Sequence, residues 1–101
     1  MADRTEREAP RTYLVEHYRP GLPVDGLSQW ALRVQAAAVE LEREGKDVRY
    51  VRSTIVPADE SLLCFLEAAS EELVRETYAR AGIPFERLST VIDQANTEEE
   101  R

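Results

Sequence analysis

A chain of 101 residues, 43% hydrophobic and 33% charged, has the size and composition of one globular domain rather than a disordered segment. Its net charge of −7, with Lys46 the only lysine, excludes the clustered cations that a nucleic-acid or anionic membrane partner requires. The single cysteine, Cys64, forbids an internal disulfide and suits a reducing compartment. The opening residues MADRTEREAPR lack the apolar core of a signal peptide, and no run approaches the ~18 apolar residues of a membrane span. The expectation is a soluble cytoplasmic protein.

Residues 1–11 and the acidic 95–101 are charged and aperiodic, which predicts disordered tails around a domain at 12–94. Thr12–Tyr18 is rich in β-branched and aromatic residues and reads as the first strand. Pro20 and Pro23 force a loop after it. From Asp25, the expected N-cap, Leu27, Trp30, Ala31, Val34, Ala38 and Leu41 fall on one helical stripe that ends near Gly45. Trp30 is the expected large anchor of that stripe in the core.

Val48–Val56 reads as a second strand with imperfect alternation: Val48, Tyr50 and Val56 on one side, Val51 and Ile55 on the other. A Pro57-Ala58-Asp59 turn leads to Leu62–Glu67, a third strand that is apolar on both faces. Ser70 then caps a second helix with Glu71 and Glu72 in its first turn. Its inner stripe is Leu73, Val74, Thr77, Tyr78 and Ala81, and Gly82 with Pro84 ends it. Leu88–Asp93 is the expected last strand.

The order β-α-β-β-α-β, with right-handed crossovers, puts strands one and three in the centre of an antiparallel sheet covered on one face by two helices. The fold class is therefore α+β, a ferredoxin-like sandwich. Helices cover only one sheet face, so a strand apolar on both faces needs a second cover, and a second copy of the chain supplies it most simply. A homodimer through the open sheet faces is expected.

Several segments carry a family resemblance: Tyr13-Leu14-Val15-Glu16, Pro20-Gly21, Val48-Arg49-Tyr50, Arg52-Ser53-Thr54, Val56-Pro57, Asp59-Glu60, Cys64 to Ala68, and Ala81-Gly82-Ile83-Pro84-Phe85. Together they resemble a small bacterial family of ferredoxin-like domains of otherwise unknown function whose members are often labelled nickel-binding proteins. The resemblance implies a ferredoxin-like, dimeric protein and Ni²⁺ as a bound metal.

Nickel(II) accepts imidazole, thiolate, carboxylate and water. The chain offers one imidazole, His17, and one thiol, Cys64, on strands expected to be neighbours, with no His-x-His or Cys-x-x-Cys spacing to arrange a chelate. Whether the two share a face depends on register, which one slip reverses. Completing a site takes Glu16, Glu67 or Asp93, or a second subunit. The candidate metal set is thus His17, Glu16, Cys64 and Glu67, in a non-catalytic protein that sequesters or buffers a divalent metal. The plainer reading makes His17 a partly exposed strand residue and Cys64 a small buried hydrophobe.

A second constellation competes. Glu16, Arg52, Thr54 and Glu67 are polar residues within strands built for burial, and a charge there needs a partner. Arg52 paired with Glu16 or Glu67 gives a structural ion pair beside a dimer interface. Alternatively Tyr50, Arg52, Thr54 and Glu67 line a small-molecule pocket on the open face, as in cofactor-independent monooxygenases or cyclases of this fold, an analogy of fold alone. No catalytic residue is assigned. The carboxylates Glu40, Glu42, Glu44, Glu71, Glu72 and Glu76 read as solvated helix faces.

Overall fold

The computed structural model describes residues 10–94. Except for Pro10 and Arg11, the two expected tails lie outside the described residues. Four strands, β1 (Arg11–Tyr18), β2 (Val48–Val56), β3 (Ser61–Ala68) and β4 (Arg87–Val91), alternate with α1 (Val24–Arg43) and α2 (Glu71–Ala81) in the expected order. They form one sheet ordered β2-β3-β1-β4, and every neighbouring pair is antiparallel. The central strands are β1 and β3, as the crossover rule requires. No helix among the described residues is long and apolar enough to cross a membrane.

Both helices lie on one face. Tyr13, Val15, Leu62, Cys64, Leu66 and Ala68 from the central strands meet Leu27, Val34 and Leu41 of α1 and Val74 and Tyr78 of α2 in one buried core. Trp30 and Ala31 pack against it and are only partly buried. The stripe expected for α1 is therefore the stripe observed.

The start of α1 differs from expectation. Pro23, not Asp25, occupies the N-cap, and no side chain caps the first turn. Pro23 is fixed in extended conformation at φ −71° and ψ 167°, and its carbonyl accepts from the Leu27 amide at 3.0 Å. Asp25 sits inside the first turn, where its charge complements the helix dipole. The far end follows expectation. Gly45 adopts φ +91°, and the Gly45 and Lys46 amides donate to the Glu42 and Leu41 carbonyls, each at 3.0 Å. That is a Schellman closure, and it needs a residue without Cβ at the left-handed position.

In α2 the Ser70 hydroxyl accepts from the Leu73 amide at 3.3 Å, and Gly82 ends the helix at φ +71°. Ser70→Ala should therefore lower unfolding free energy by about 1 kcal/mol, measured by urea denaturation. A change within a few tenths of a kcal/mol would show that the cap is idle.

A β-bulge at Val51 explains the irregular alternation of β2. The pairing with β3 runs Tyr50 to Leu66 and then Arg52 to Phe65, so Val51 has no partner. Beyond the bulge the faces exchange. Ser53 and Ile55 join Val48 and Tyr50 opposite the inward residues of β3, whereas Val56 falls on the outer side, correcting the faces read for Ile55 and Val56. The turn after β2 is one turn of 3₁₀ helix, Pro57–Asp59, closed by Glu60 at φ +52°. β4 begins one residue earlier than expected and stops at Val91, leaving Ile92 and Asp93 exposed beyond it.

Candidate metal centre

The register of β1 against β3 settles which candidate residues meet. Val15 lies opposite Cys64 and His17 opposite Leu62, so His17 and Cys64 are diagonal neighbours on the inner, helix-covered face. Such diagonal positions stand ~7–8 Å apart, within reach of long side chains. His17 is fully buried, correcting the expectation of a partly exposed strand residue, and Cys64 is buried as expected.

Glu16 and Glu67 do not join them. Glu16 follows the outward parity of β1 and Glu67 that of β3, so both point away from the helices. The four candidate ligands are therefore split between two faces. Each glutamate also has its own cation: Glu67 meets Arg49 at 2.7 Å, and Glu16 stands 3.6 Å from Arg87. Arg52, expected to pair with one of them, instead lies 3.9 Å over the Phe65 ring. The alternative pocket is divided as well, because Tyr50 turns inward and bonds Ser53 while Arg52, Thr54 and Glu67 face outward.

On the inner face His17 has a defined protonation pattern. Its Nδ1 lies 2.8 Å from the Leu62 carbonyl oxygen, which can only accept, so Nδ1 carries the proton. Nε2 then carries the lone pair, and among the described residues it has no hydrogen-bond partner. Burial lowers the His17 pKa, against the opposing Leu62 hydrogen bond, and favours this neutral imidazole. The ring is flanked by Trp30, edge-on at 6.1 Å, and by Tyr78 at 5.4 Å. Over this end of the core, the Arg19 guanidinium lies 5.1 Å from the Trp30 ring and pairs with Glu86 at 2.8 Å.

Cys64 belongs to a short polar chain. Tyr50 Oη and Ser53 Oγ are 2.5 Å apart, and Ser53 Oγ is 3.0 Å from Cys64 Sγ. Burial pushes the Cys64 thiol up, so in the absence of a cation it stays protonated. Burial, reinforced by the neighbouring Cys64, pushes the Tyr78 hydroxyl strongly up too; this hydroxyl faces the Cys64 thiol, and among the described residues it has no partner in good hydrogen-bond geometry.

Two participants are not marked as site residues by the sequence pattern. Ser53 carries no expected role, because only the bulge at Val51 turns it inward. Tyr78 belongs to the inner stripe of α2, and its hydroxyl is the available signal: a polar head carried into a stripe otherwise made of Leu73, Val74 and Ala81, with Thr77 bonding back to the Leu73 carbonyl at 2.7 Å.

Among the described residues no group of three or more His, Cys, Asp or Glu side chains is placed to hold a metal ion. The donors that do fit are fewer and different: a neutral imidazole with a free Nε2, oriented through Nδ1 by a backbone carbonyl as metal-bound histidines are, and a thiol on the same face.

An antiparallel sheet ordered β2-β3-β1-β4, two helices on one face and a polar group of side chains beneath them define a small ferredoxin-like α+β domain. The chain belongs to the family described as nickel responsive protein SCO4226-like, whose model matches residues 13–91. Its fold is similar to the crystal structure of SCO4226 from Streptomyces coelicolor A3(2), with a TM-score of 0.61 and 23% sequence identity over 83% of this chain and 99% of that one. No curated protein matches the sequence.

Proposed function

We propose that the protein is a small dimeric nickel-binding protein that sequesters or buffers the metal without catalysing a reaction. The observation that carries this reading is the buried, neutral His17, whose Nε2 lone pair has no partner, in a chain of a nickel-responsive family. Imidazole nitrogen and thiolate sulfur both suit nickel(II), a cation of borderline softness. Cys64 is the thiol at the diagonal position on the same face. Glu16 and Glu67, on the outer face, are left out of this donor set.

The dimer rests on a different face. Leu14, Leu63 and Phe65 lie on the central strands away from the helices and are only partly buried. A second copy of the sheet would cover them.

The test is calorimetric titration of metal-free protein with Ni²⁺, Co²⁺ and Zn²⁺, with light scattering on the same samples. His17→Gln keeps an amide donor for the Leu62 carbonyl and should weaken nickel binding at least tenfold, about 1.4 kcal/mol. Unchanged affinity in a folded variant would remove His17 from the site and overturn this reading.

A further inference from the structure

Building on the nickel-binding reading, we propose that Tyr78 supplies the third donor of the same inner site, so that one cation is held by His17 Nε2, Cys64 Sγ and Tyr78 Oη. Among the described residues, two buried side-chain nitrogen or oxygen atoms lack a partner in good hydrogen-bond geometry, His17 Nε2 and Tyr78 Oη, the latter facing only the weakly hydrogen-bonding Cys64 thiol. An unpaired buried polar group costs ~1–3 kcal/mol, so native cores rarely keep one. These two belong to rings whose centroids are 5.4 Å apart, which points to one shared occupant rather than two separate defects.

The third member of the group is Cys64. It lies on the same inner face as His17 and near enough to Tyr78 to act on its hydroxyl. Among the described residues no cluster of three His, Cys, Asp or Glu is placed to hold a cation, so a third donor for His17 and Cys64 within these residues comes from another residue type. Tyr78 is buried to within 2% of complete and fixed in the turn of α2 that Gly82 closes, its backbone carbonyl accepting from the Gly82 amide at 2.9 Å. Nitrogen, sulfur and oxygen donors together match a borderline first-row divalent cation better than calcium or magnesium, which take oxygen alone.

Trp30 makes the site observable. It is the only tryptophan in the chain, and its ring centroid lies 6.1 Å from that of His17. The experiment titrates metal-free wild type, Tyr78→Phe and Cys64→Ser with Co²⁺ and Ni²⁺. It follows Trp30 fluorescence, the cobalt ligand-field bands and the near-ultraviolet thiolate charge-transfer band, with circular dichroism as the check on folding.

In the wild type both ions should quench Trp30. In Tyr78→Phe the cobalt affinity should fall at least tenfold and the ligand-field bands should shift, while the thiolate band survives at saturation; Cys64→Ser should lose that band. A Tyr78→Phe protein with unchanged affinity and cobalt spectrum overturns the role of Tyr78 and leaves the nickel-binding reading standing. Wild type that neither binds nor quenches overturns both. Should Tyr78→Phe not fold, cobalt-loaded wild type decides the point by NMR: Tyr78 ring signals left unshifted by the paramagnetic ion overturn the proposal, and strongly shifted ones support it.

Discussion

As pH falls below about 6.5, the metal-free protein is expected to lose stability at up to about 1.4 kcal/mol per pH unit, and His17→Gln is expected to flatten that slope. The cause is burial. His17 is held neutral in the folded state with its pKa lowered from 6.5, whereas in the unfolded chain it titrates normally. The unfolded state therefore takes up the proton first. The stability contributed by a neutral His17 is fully present above the unfolded pKa and is lost as pH drops from there toward the folded pKa.

The groups facing the ring do not reverse this sign. Leu62 and the charge of Glu86 favour the imidazolium, Arg19 opposes it, and desolvation is the largest effect. Glu86 acts in a separate window. The Tyr18 amide, first, and Arg19 hold its carboxyl below the usual 4.5, so its contribution is present above about 4.5 and lost below. Urea denaturation across this range separates the two. A flat profile between pH 6.5 and 4.5 in the wild type would mean that His17 is not buried as a neutral ring.

How much of this could be read from the residues depends on what each position needed. The α1 stripe from Leu27 to Leu41 and the Ser70 and Gly82 ends of α2 follow from local periodicity and capping chemistry, and they stand where expected. The central positions of β1 and β3 follow from handedness alone. Register does not. His17 could be assigned to a face only once Val15 was known to oppose Cys64, because alternation says which residues share a face but not which face is covered.

The bulge at Val51 is the clearest case. A single unpaired residue exchanged the faces of Ile55 and Val56 and brought Ser53 to Cys64, and nothing in Val48–Val56 other than its broken alternation announced it. Charge pairing was equally illegible. Arg49 and Arg87, rather than Arg52, meet the two strand glutamates, because each stands directly opposite its glutamate in the register, which composition does not reveal. Asp25 was displaced as cap by a proline whose fixed φ suits the helix entrance without a side-chain hydrogen bond.

Neighbouring residues of β3 should separate folding from association. Leu66 is fully buried against the helices, and Phe65, one position earlier, faces outward under Arg52. Leu66→Ala removes three heavy atoms from a packed core and should cost about 3 kcal/mol of unfolding free energy. In a domain of this size that lowers the melting temperature by roughly 10–20 °C.

Phe65→Asp acts on the other layer. It places a charge at the centre of the apolar strip formed with Leu14 and Leu63, and although Arg52 stands directly opposite it, a second sheet would have to desolvate that ion pair. The expected product is a folded monomer, with near-native circular dichroism and half the wild-type mass by light scattering. The core below is untouched, because successive side chains of a strand point to opposite faces. If Phe65→Asp keeps the wild-type mass, the open face is not the surface through which copies associate. If wild type itself scatters as a monomer, Leu14, Leu63 and Phe65 are simply a half-exposed outer layer. The Leu66→Ala cost should be unaffected in either case, since it arises inside one chain.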